Sequence, residues 1–400
     1  MSLEHAIAAM GTGPLTEEAL RLHVFPLFSK TLSAPGIYLA NHSLGRPLDQ
    51  TEEDLREGLS LWQTKLGDAW DSWLEEEQAH RSRIAQIICA PRYDCIVPKT
   101  SAGQGLRTVL NALPSMSRVV STIEEFDSID VILKQYAAMG KISLQLVSCT
   151  AMDRSIDLSP LMQKVHDGAD LVVVSQVLFM TSQIVPNLDL LAEECHRKGA
   201  RLLVDAYHAI GVFPVDVVKM KADFMIGGSY KYLRGGPGAA FLYVSPDALV
   251  SDLKPIDIGW FAKDQPFLYD RPDPPRFAKG GDAFLESTPP ILTYYQARAG
   301  QQLALQLGVA RIRTYCTDRL SRLKKYLAEA GIGSEGADDR HGGFLTIESS
   351  SAVSLARALE SSGITTDARG NRLRLSPDYL TKDYVLRDVA STMATIGIAV

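Results

Sequence analysis

The sequence predicts an α/β protein built on a mainly parallel β-sheet, followed by a smaller α+β domain. Two observations support this prediction. Between residues 94 and 247, short apolar runs alternate with amphipathic helical segments, and the runs are continuously apolar, as is typical of strands covered on both faces. The chain is also 400 residues long, which suits two domains that share an interface.

The N-terminal part of the chain predicts helices around one short strand. The segment GIYLANHSLGRP (36–47) is β-like at first and then turns at Asn41, Gly45 and Pro47. A long charged stretch over about residues 51–88 predicts helix. It carries three tryptophans that we expect to pack in the core or in an interface, namely Trp62, Trp70 and Trp73.

The middle of the chain contains the predicted strands and the helices between them. The apolar runs are RVVSTI, LVVVSQVLF, RLLVDAYH, DFMIGG and AAFLYV. Between the second and third runs, NLDLLAEECHRKG predicts a helix with Asn187 at its N-cap and Gly199 at its C-terminal end. The buried face of this helix should consist of Leu188, Leu191, Ala192 and Cys195. Beyond a Pro-rich loop (270–277), helices and short strands predict the α+β domain.

Composition and charge argue against several classes of function. The net charge of −6 disfavours nucleic acid as a partner, because phosphate binding needs a basic face. Every apolar run is far shorter than the roughly 20 residues of a membrane-spanning helix, and the N-terminus lacks the basic start of a signal peptide. The five cysteines include no CxxC pair and the eight histidines no HExxH. We therefore expect no metal site, no disulfide frame and a cytoplasmic location.

Polar and aromatic side chains follow the predicted strands, where ligands bind in parallel α/β sheets. The loop KTSAGQG (99–105) offers backbone N–H groups to an anion, before a helix that we expect to begin at about Leu106. The residues at the later strand ends are Phe126, Ser175, Asp205, His208, Ser229, Tyr230 and Lys231. Each alone fits an ordinary structural role. Their recurrence at successive strand ends predicts a pocket for a phosphorylated aromatic cofactor.

The chemistry of these residues fits pyridoxal 5′-phosphate (PLP). A lysine with a lowered pKa can bond to the cofactor aldehyde, and Lys231 is the candidate. A carboxylate must face the pyridine nitrogen to keep it protonated, and Asp205 is the candidate. The Ser/Gly backbone of the 99–105 loop and a tyrosine hydroxyl would bind the phosphate.

The segments LLVDAYHAIGVFPVDV and ADFMIGGSYKYLRGGPGAAFLYVSP resemble the centre of class V, fold-type I PLP-dependent enzymes, and YKYLxGGPG is similar to kynureninases in particular. Four further segments are similar to kynureninases and stand in the family's order: YLANHSLG, IGWF, STPPI and RLRLSP. The resemblance covers about residues 36–390. It implies the fold-type I fold, with a mainly parallel seven-stranded sheet in the large domain. We expect an N-terminal segment (1–48) packing with the small domain, a large PLP-binding domain (49–288) and a small C-terminal domain (289–400).

The resemblance also implies roles for single residues around the cofactor. Lys231 would bond to PLP and move the substrate α-proton, while Asp205 would pair with the pyridine nitrogen. Tyr230 would donate or relay a proton through a phenol of lowered pKa. His208 would support one face of the site, and Phe126 would stack on the ring. The residues surrounding the cofactor, chiefly its phosphate, would be Ser101, Ala102, Gly103, Ser128, Ser175 and Tyr230.

Other implied roles concern the substrate and a second subunit. Trp260 and Thr288 would reach the phosphate from the neighbouring subunit of a homodimer. Arg374 would bind the substrate carboxylate, a task suited to a planar bidentate donor. His42 and Ser43 are the further candidates for contact with the substrate.

Two segments depart from the kynureninase pattern. The family's FPTD reads FDSI here (126–129), so Ile129 stands where the family has an aspartate, unless Asp130 takes its place. The family's DGN before SLG is replaced by Ala40, Asn41 and His42, and SAGQG resembles the broader class V pattern. The cofactor-binding half of the resemblance is intact, whereas the substrate-binding half is altered.

The implied activity is hydrolysis of the Cβ–Cγ bond of kynurenine or 3-hydroxykynurenine, giving anthranilate or its 3-hydroxy form and alanine, a step of tryptophan catabolism. The alternative is a class V aminotransferase or another PLP lyase acting on a different amino acid. A cysteine desulfurase is disfavoured because Cys316 lies in a predicted helix and not on a flexible loop. A non-catalytic relative is disfavoured because Lys231, Asp205, His208 and Arg374 are all present.

Overall fold

The computed structural model describes residues 2–251, 253 and 255–397. The strands, in chain order, are β1 (Ile37–Tyr38), β2 (Ile96–Lys99), β3 (Ser117–Thr122), β4 (Ile142–Val147), β5 (Leu171–Ser175), β6 (Arg201–Asp205), β7 (Phe224–Gly228), β8 (Ala240–Val244), β9 (Leu345–Glu348), β10 (Ile364–Thr365), β11 (Asp367–Arg369) and β12 (Arg372–Leu375). The helices are α1 (Leu3–Met10), α2 (Glu17–Ala19), α3 (Ser29–Ser33), α4 (Gln50–Lys65), α5 (Trp70–Ile87), α6 (Ala102–Ala112), α7 (Asp127–Ala138), α8 (Ser159–His166), α9 (Leu188–Arg197), α10 (Val217–Met220), α11 (Pro246–Leu249), α12 (Ile291–Leu307), α13 (Val309–Glu329), α14 (Ala352–Ser361) and α15 (Asp383–Thr395).

Seven strands form the central sheet, in the order β2-β8-β7-β6-β5-β3-β4. The pairs from β7 through β4 are parallel, whereas β8 runs antiparallel to both of its neighbours. The predicted mainly parallel seven-stranded sheet is confirmed. The parallel strands therefore end at one edge of the sheet, and the side chains that follow them are brought together there.

The continuously apolar strands are explained by a core on each face of the sheet. Val172 and Val204 point into one buried cluster, and Val173 and Leu203 point into the other. Because side chains alternate along a strand, a sheet covered on both faces needs apolar residues at every position. The helix at 188–197 packs on the first cluster through its four predicted residues, all of which are buried.

Several predicted details need correction. The long helix over 51–88 is broken into α4 and α5 by a 3₁₀ turn at Leu66, whose φ is 48°. Trp62 does not lie in the core of the chain, since it is 55% exposed, and its packing in an interface stays a prediction. Helix α6 begins at Ala102 and not near Leu106, because the Ser101 hydroxyl accepts from the Gln104 N–H and caps the helix early.

The predicted ends of α9 are partly right. Asn187 stands at the N-cap position, but it has a left-handed backbone and its side chain makes no capping hydrogen bond. Gly199 follows the helix with φ 77°, as its predicted place at the C-terminal end requires.

The N-terminal and C-terminal parts of the chain are in contact. β1 pairs in parallel with β10, and β11, β12 and β9 form a three-stranded antiparallel sheet. Leu20 and Phe28 share a buried cluster with Leu303 of α12 and with Tyr379. The division of the chain at residues 48 and 288 stays a prediction. In the described ranges, none of the helices has the length and apolar character that crossing a membrane requires.

Candidate active site

A cavity of about 710 Å³ lies at the carboxyl ends of the parallel strands. Most of the predicted site residues line it: Ser43, Ser101, Ala102, Gly103, Phe126, Ser128, Ser175, Asp205, His208, Tyr230 and Lys231. They come from the loop after β1, the starts of α6 and α7, and the ends of β5, β6 and β7. The edge of the sheet thus gathers residues that are far apart in sequence.

Lys231 is buried in this cavity. Its Nζ lies 2.8 Å from Nε2 of His208 and 5.5 to 5.6 Å from the ring centres of Phe126, Tyr207 and Tyr230. Burial lowers the pKa of Lys231 to about 7, with the carboxylate of Asp205 opposing that shift. A large fraction of the amine is therefore unprotonated near neutral pH, as bonding to an aldehyde requires.

Asp205 ends β6 with a buried carboxylate. Its Oδ1 accepts from the backbone N–H of Tyr207 at 2.9 Å. Burial raises its pKa, whereas that hydrogen bond and the charge of Lys231 lower it. His208, three residues later, is also buried, and burial holds its pKa well below its usual value. Within the described part of the chain, its Nδ1 has no hydrogen-bond partner. A buried acid and a neutral histidine thus stand beside the amine.

The phenol of Tyr230 differs from the expectation. Burial raises its pKa to about 12, and the charge of Asp205 adds to the effect. We expected a lowered pKa, and that expectation is wrong because no nearby cation outweighs the loss of solvent in the described residues. Tyr230 stays protonated at neutral pH, so it can donate a proton but cannot act as a base.

The first turn of α6 forms one wall of the cavity. Backbone N–H groups at the N-terminus of a helix carry partial positive charge and attract anions. A Cβ at Gly103 would lie 2.9 Å from Cδ1 of Ile132 and 3.2 Å from Nη1 of Arg107, so a larger residue here would displace the ends of these two side chains. Arg107 lines the cavity and folds back toward the first turn. Sequence reasoning missed it, although its place one turn after Gly103 was a usable signal.

The three predicted substrate residues meet at an aspartate that we did not predict, Asp367. Arg374 donates from Nη2 to its Oδ2 at 2.5 Å and from Nη1 to the carbonyl of Phe179 at 2.7 Å. The Ser43 hydroxyl also donates to Asp367, and Nε2 of His42 lies 3.6 Å away. Asp367 faces Arg374 across the β11–β12 hairpin, whose two-residue Gly-Asn turn was the signal in the sequence.

Arg374 and His42 are not among the residues that line the cavity, but their contacts Ser43 and Phe179 are. Phe344 packs against both, with its ring centre 4.9 Å from that of His42 and 5.6 Å from the guanidinium of Arg374. Burial lowers the pKa of His42 to about 4, so this histidine is neutral at pH 7. Among the described residues, Nε of Arg374 has no hydrogen-bond partner.

Trp260 and Thr288 lie away from the cavity of their own chain. Nε1 of Trp260 is 3.4 Å from Oγ1 of Thr288, and Thr288 lines a separate cavity of about 270 Å³.

In the 126–129 segment, Ile129 is fully buried. Asp130 pairs with Lys134 at 2.8 Å on α7 and is not among the residues that line the cavity, and whether it takes the place of the family's aspartate stays an open prediction.

Two further observations concern acids and thiols. Glu125, which sequence reasoning missed, is buried beside Ser175, and its position directly before Phe126 at a strand end was the available signal.

Cys316 lies in α13 as predicted, and burial raises the pKa of its thiol to about 12. Among the described residues, the cavity is lined by no cysteine.

The residues present fit PLP. The cavity combines an amine of lowered pKa, a buried carboxylate, an aromatic ring at Phe126 and a glycine-lined helix N-terminus for a phosphate. Nδ1 of His208, which has no partner among the described residues, is a buried polar atom that needs a polar ligand. These are the groups that a phosphorylated pyridine aldehyde requires.

Comparisons with known proteins agree with this assignment. The sequence model of the family described as Aminotransferase class-V matches residues 48–385. The uncharacterized aminotransferase YcbU of Bacillus subtilis (strain 168) is 27% identical over 356 residues, covering 88% of this chain and 91% of that protein. A kynureninase of Geobacillus thermodenitrificans (strain NG80-2) is 26% identical over 374 residues, covering 87% and 85%.

Solved structures show the same fold. A C-DES mutant with glycine covalently linked to the PLP cofactor superposes with a TM-score of 0.83 at 18% identity, covering 92% of this chain and 98% of that one. The family match spans most of the chain, the fold is that of fold-type I enzymes and the site fits the cofactor. The chain therefore belongs to the aminotransferase class V family of PLP-dependent enzymes.

Proposed function

We propose that this protein is a kynureninase-type hydrolase. Its substrate would be kynurenine or 3-hydroxykynurenine, and its products anthranilate or 3-hydroxyanthranilate together with alanine, as a step of tryptophan catabolism. The observation that carries the proposal is the apolar wall of the cavity, which suits an aromatic substrate side chain. This wall consists of Leu44, Val131, Ile132, Val177 and Phe179. Similarity to kynureninases over 87% of the chain supplies the reaction type.

The residues around the cofactor would have the following roles. PLP, when bound, supplies an electron-accepting ring that stabilises negative charge at the substrate α-carbon. Lys231 would hold the cofactor and move the proton of that carbon. Asp205 would keep the pyridine nitrogen protonated and Phe126 would pack on the ring, and all three residues line the cavity. Tyr230, which stays protonated at neutral pH, donates a proton.

The phosphate would be bound at the first turn of α6. The backbone N–H groups of 101–103 and the hydroxyls of Ser101 and Ser128 are the donors, and Arg107 adds a positive charge at the same wall. His208 supports the site beside Lys231. The arrangement combines a helix dipole with a cation, as a dianionic phosphate favours.

The substrate carboxylate would be bound by Arg374, which adjoins the cavity through its contact with Phe179 and whose Nε has no partner among the described residues. Asp367 is then a positioning residue, because it holds the guanidinium and the Ser43 hydroxyl in one arrangement. His42 completes this group as a neutral donor or acceptor.

The active unit would be a homodimer. Trp260 and Thr288 lie outside the cavity of their own chain, which is consistent with their reaching the phosphate of a second copy. The surface beside them is unusually apolar, with Phe267, Leu268 and Tyr269 at 41, 66 and 68% exposure. An apolar surface of this kind favours association.

A second candidate function is an amino-group transfer, which the similarity to YcbU favours. A product assay separates the two. Holoenzyme is incubated with kynurenine or 3-hydroxykynurenine, with and without a 2-oxo acid, and the products are separated by chromatography. Anthranilate or its hydroxylated form appearing with alanine, in the absence of the oxo acid, is the expected result.

Other outcomes contradict the proposal. Turnover that depends on the oxo acid establishes an aminotransferase. A holoenzyme that turns over neither substrate shows that the 126–129 and 40–43 segments recognise another amino acid.

A further inference from the structure

Glu125 is a buried acid directly behind the cavity, and the proposed chemistry does not use it. Its side chain is almost wholly buried, between the end of β3 and the end of β5. Oε1 accepts from the hydroxyl of Thr122 at 2.7 Å and from the backbone N–H of Ser175 at 3.1 Å. Oε2 lies 2.6 Å from Oγ of Ser175. In the described part of the chain, these neutral groups are its hydrogen-bond partners.

The groups that face Glu125 from the neighbouring elements are acidic or neutral. Asp205 of β6 stands opposite Ser175 in the parallel register, and its charge adds to the effect of burial. Glu124 precedes it and bonds to Ser148 and to the N–H of Cys149 after β4. Burial raises the pKa of the Cys149 thiol to about 12, so that group stays neutral. Burial likewise raises the pKa of Glu125 to about 7.

The hydrogen bonds locate the proton of the neutral acid. Oε1 already accepts two hydrogen bonds, so the proton belongs on Oε2, where it is donated to Oγ of Ser175. Ser175 lines the cavity, and in this state its own O–H hydrogen is free to donate into it. When Glu125 is ionised, Ser175 donates to Oε2 instead and turns only lone pairs toward the cavity.

We propose that Glu125 and Ser175 form a proton-dependent switch, which sets whether Ser175 offers a hydrogen-bond donor or an acceptor to the bound cofactor. The inference rests on PLP occupying this cavity and is independent of which amino acid is the substrate. Glu125 is a positioning residue, since it acts through Ser175. A hydroxyl that donates stabilises negative charge on its partner, whereas one that accepts favours a protonated partner.

The test is a pH titration of the cofactor absorbance of the holoenzyme without substrate. In the unsubstituted protein, the spectrum should change through a step with a midpoint near 7, where Glu125 titrates. Glu125→Gln should lose that step, because the amide nitrogen donates to Ser175 at every pH. Ser175→Ala should lose it as well. The infrared difference spectrum between the unsubstituted protein and Glu125→Gln should show a protonated carboxyl below this pH that is absent above it, and the difference cancels the buried Glu77, whose pKa is also about 7.

Glu124→Gln is the matched control, because this neighbouring acid bonds outside the cavity and should leave the step unchanged. PLP content, measured after alkaline release, shows whether each variant is folded and loaded. A step that survives in Glu125→Gln overturns the switch. A step that is lost in Glu125→Gln but kept in Ser175→Ala overturns the role of Ser175. Both results are independent of the product assay, so failure of the switch and failure of the hydrolase proposal are told apart.

Discussion

Two effects act on the charge of the Lys231 amine in opposite ways. Removal from water favours the neutral amine, and the carboxylate of Asp205 favours the ammonium. His208 is itself neutral and 2.8 Å away, so it tolerates either form. Burial is the stronger effect and brings the pKa to about 7. With this pKa, the amine exchanges a proton readily near neutral pH, which suits the two roles proposed for Lys231, holding the cofactor and moving a proton.

A pH dependence follows for attachment of the cofactor. Only the unprotonated amine attacks an aldehyde, so the attachment rate should rise about tenfold per pH unit below 7 and level off above it. The measurement is the growth of the absorbance of the lysine-bound cofactor after PLP is added to the apoprotein. Lys231→Ala should show no such absorbance. A rate that is independent of pH would contradict the buried-amine interpretation.

Among the described residues, some N–H donors of the Arg374 guanidinium are hydrogen-bonded and Nε is not. Two of its nitrogens are occupied by Asp367 and by a backbone carbonyl, and Nε is left for a ligand. Burial alone would raise the pKa of Asp367, but the nearby His42, the hydrogen bond from Ser43 and the charge of Arg374 hold it far below the usual range. The pair therefore stays ionised at neutral pH.

We expect Arg374→Ala to raise KM by about 10- to 100-fold, because a charge-assisted hydrogen bond of about 1.5–3 kcal/mol is lost. The effect on kcat should be smaller. Steady-state kinetics with the substrate from the product assay provides the measurement. Arg372→Ala is the matched control, since Arg372 lies on the same strand and pairs with Glu335 at 3.0 Å, away from the cavity. An unchanged KM for Arg374→Ala moves the carboxylate site elsewhere.

At the scale of elements, the site depends on close backbone contacts around the turn that follows β7. The N–H of Gly45 donates to the carbonyl of Tyr230 at 2.8 Å. A Cβ at Gly45 would lie 1.9 Å from the carbonyl oxygen of Lys231, and one at Gly300 of α12 would lie 2.1 Å from that of Leu233. Two glycines thus allow the N-terminal loop and α12 to clamp the lysine-bearing turn.

Gly45→Ala should therefore destabilise the protein by about 1–3 kcal/mol, because the added methyl must displace backbone that cannot move freely. It should also weaken PLP binding, since the displaced backbone carries Lys231. Denaturant unfolding and cofactor titration measure the two effects. Gly333→Ala is the control, because a Cβ there meets nothing within 4 Å. Equal stability of the two variants would refute the clamp.

At the scale of the whole molecule, one buried ion-pair network joins the three predicted parts of the chain. Arg234, from the turn after Lys231, pairs with Asp378 and donates to the hydroxyl of Tyr379 at 2.6 Å. Arg46 of the N-terminal segment binds the same aspartate at 2.6 Å. The ring of Phe28 lies 5.3 Å from the guanidinium of Arg234. The network holds the cofactor-binding turn against both ends of the chain.

Arg234→Leu should destabilise the protein by about 3–5 kcal/mol, because it leaves the buried carboxylate of Asp378 undercompensated. Urea unfolding followed by circular dichroism measures the change. Adding Asp378→Leu to this variant should recover only part of the loss, because it removes the buried carboxylate but also takes away the partner of Arg46. Lys325→Ala, which breaks an exposed pair with Glu329, should leave stability nearly unchanged. An Arg234→Leu variant as stable as this control would contradict the network's role.

The sequence alone determined the architecture and the position of the cofactor chemistry. Continuous apolar runs specify strands buried on both faces, and the residues that end them, Asp205, His208 and Lys231, lie together in the structure as predicted. These signals are local, because periodicity and strand ends are written in a few consecutive residues. The motifs around Lys231 added the family, which the match over 48–385 confirms.

Tertiary structure decided what depends on contacts between distant segments. Asp367 gathers Ser43, His42 and Arg374 only once the N-terminal loop meets the β11–β12 hairpin. Glu125 becomes a buried acid only when β3 and β5 pair, and the phenol of Tyr230 has a raised pKa because the folded chain excludes water around it. Burial and charge are summed over neighbours that are remote in sequence, so no local pattern could have set them.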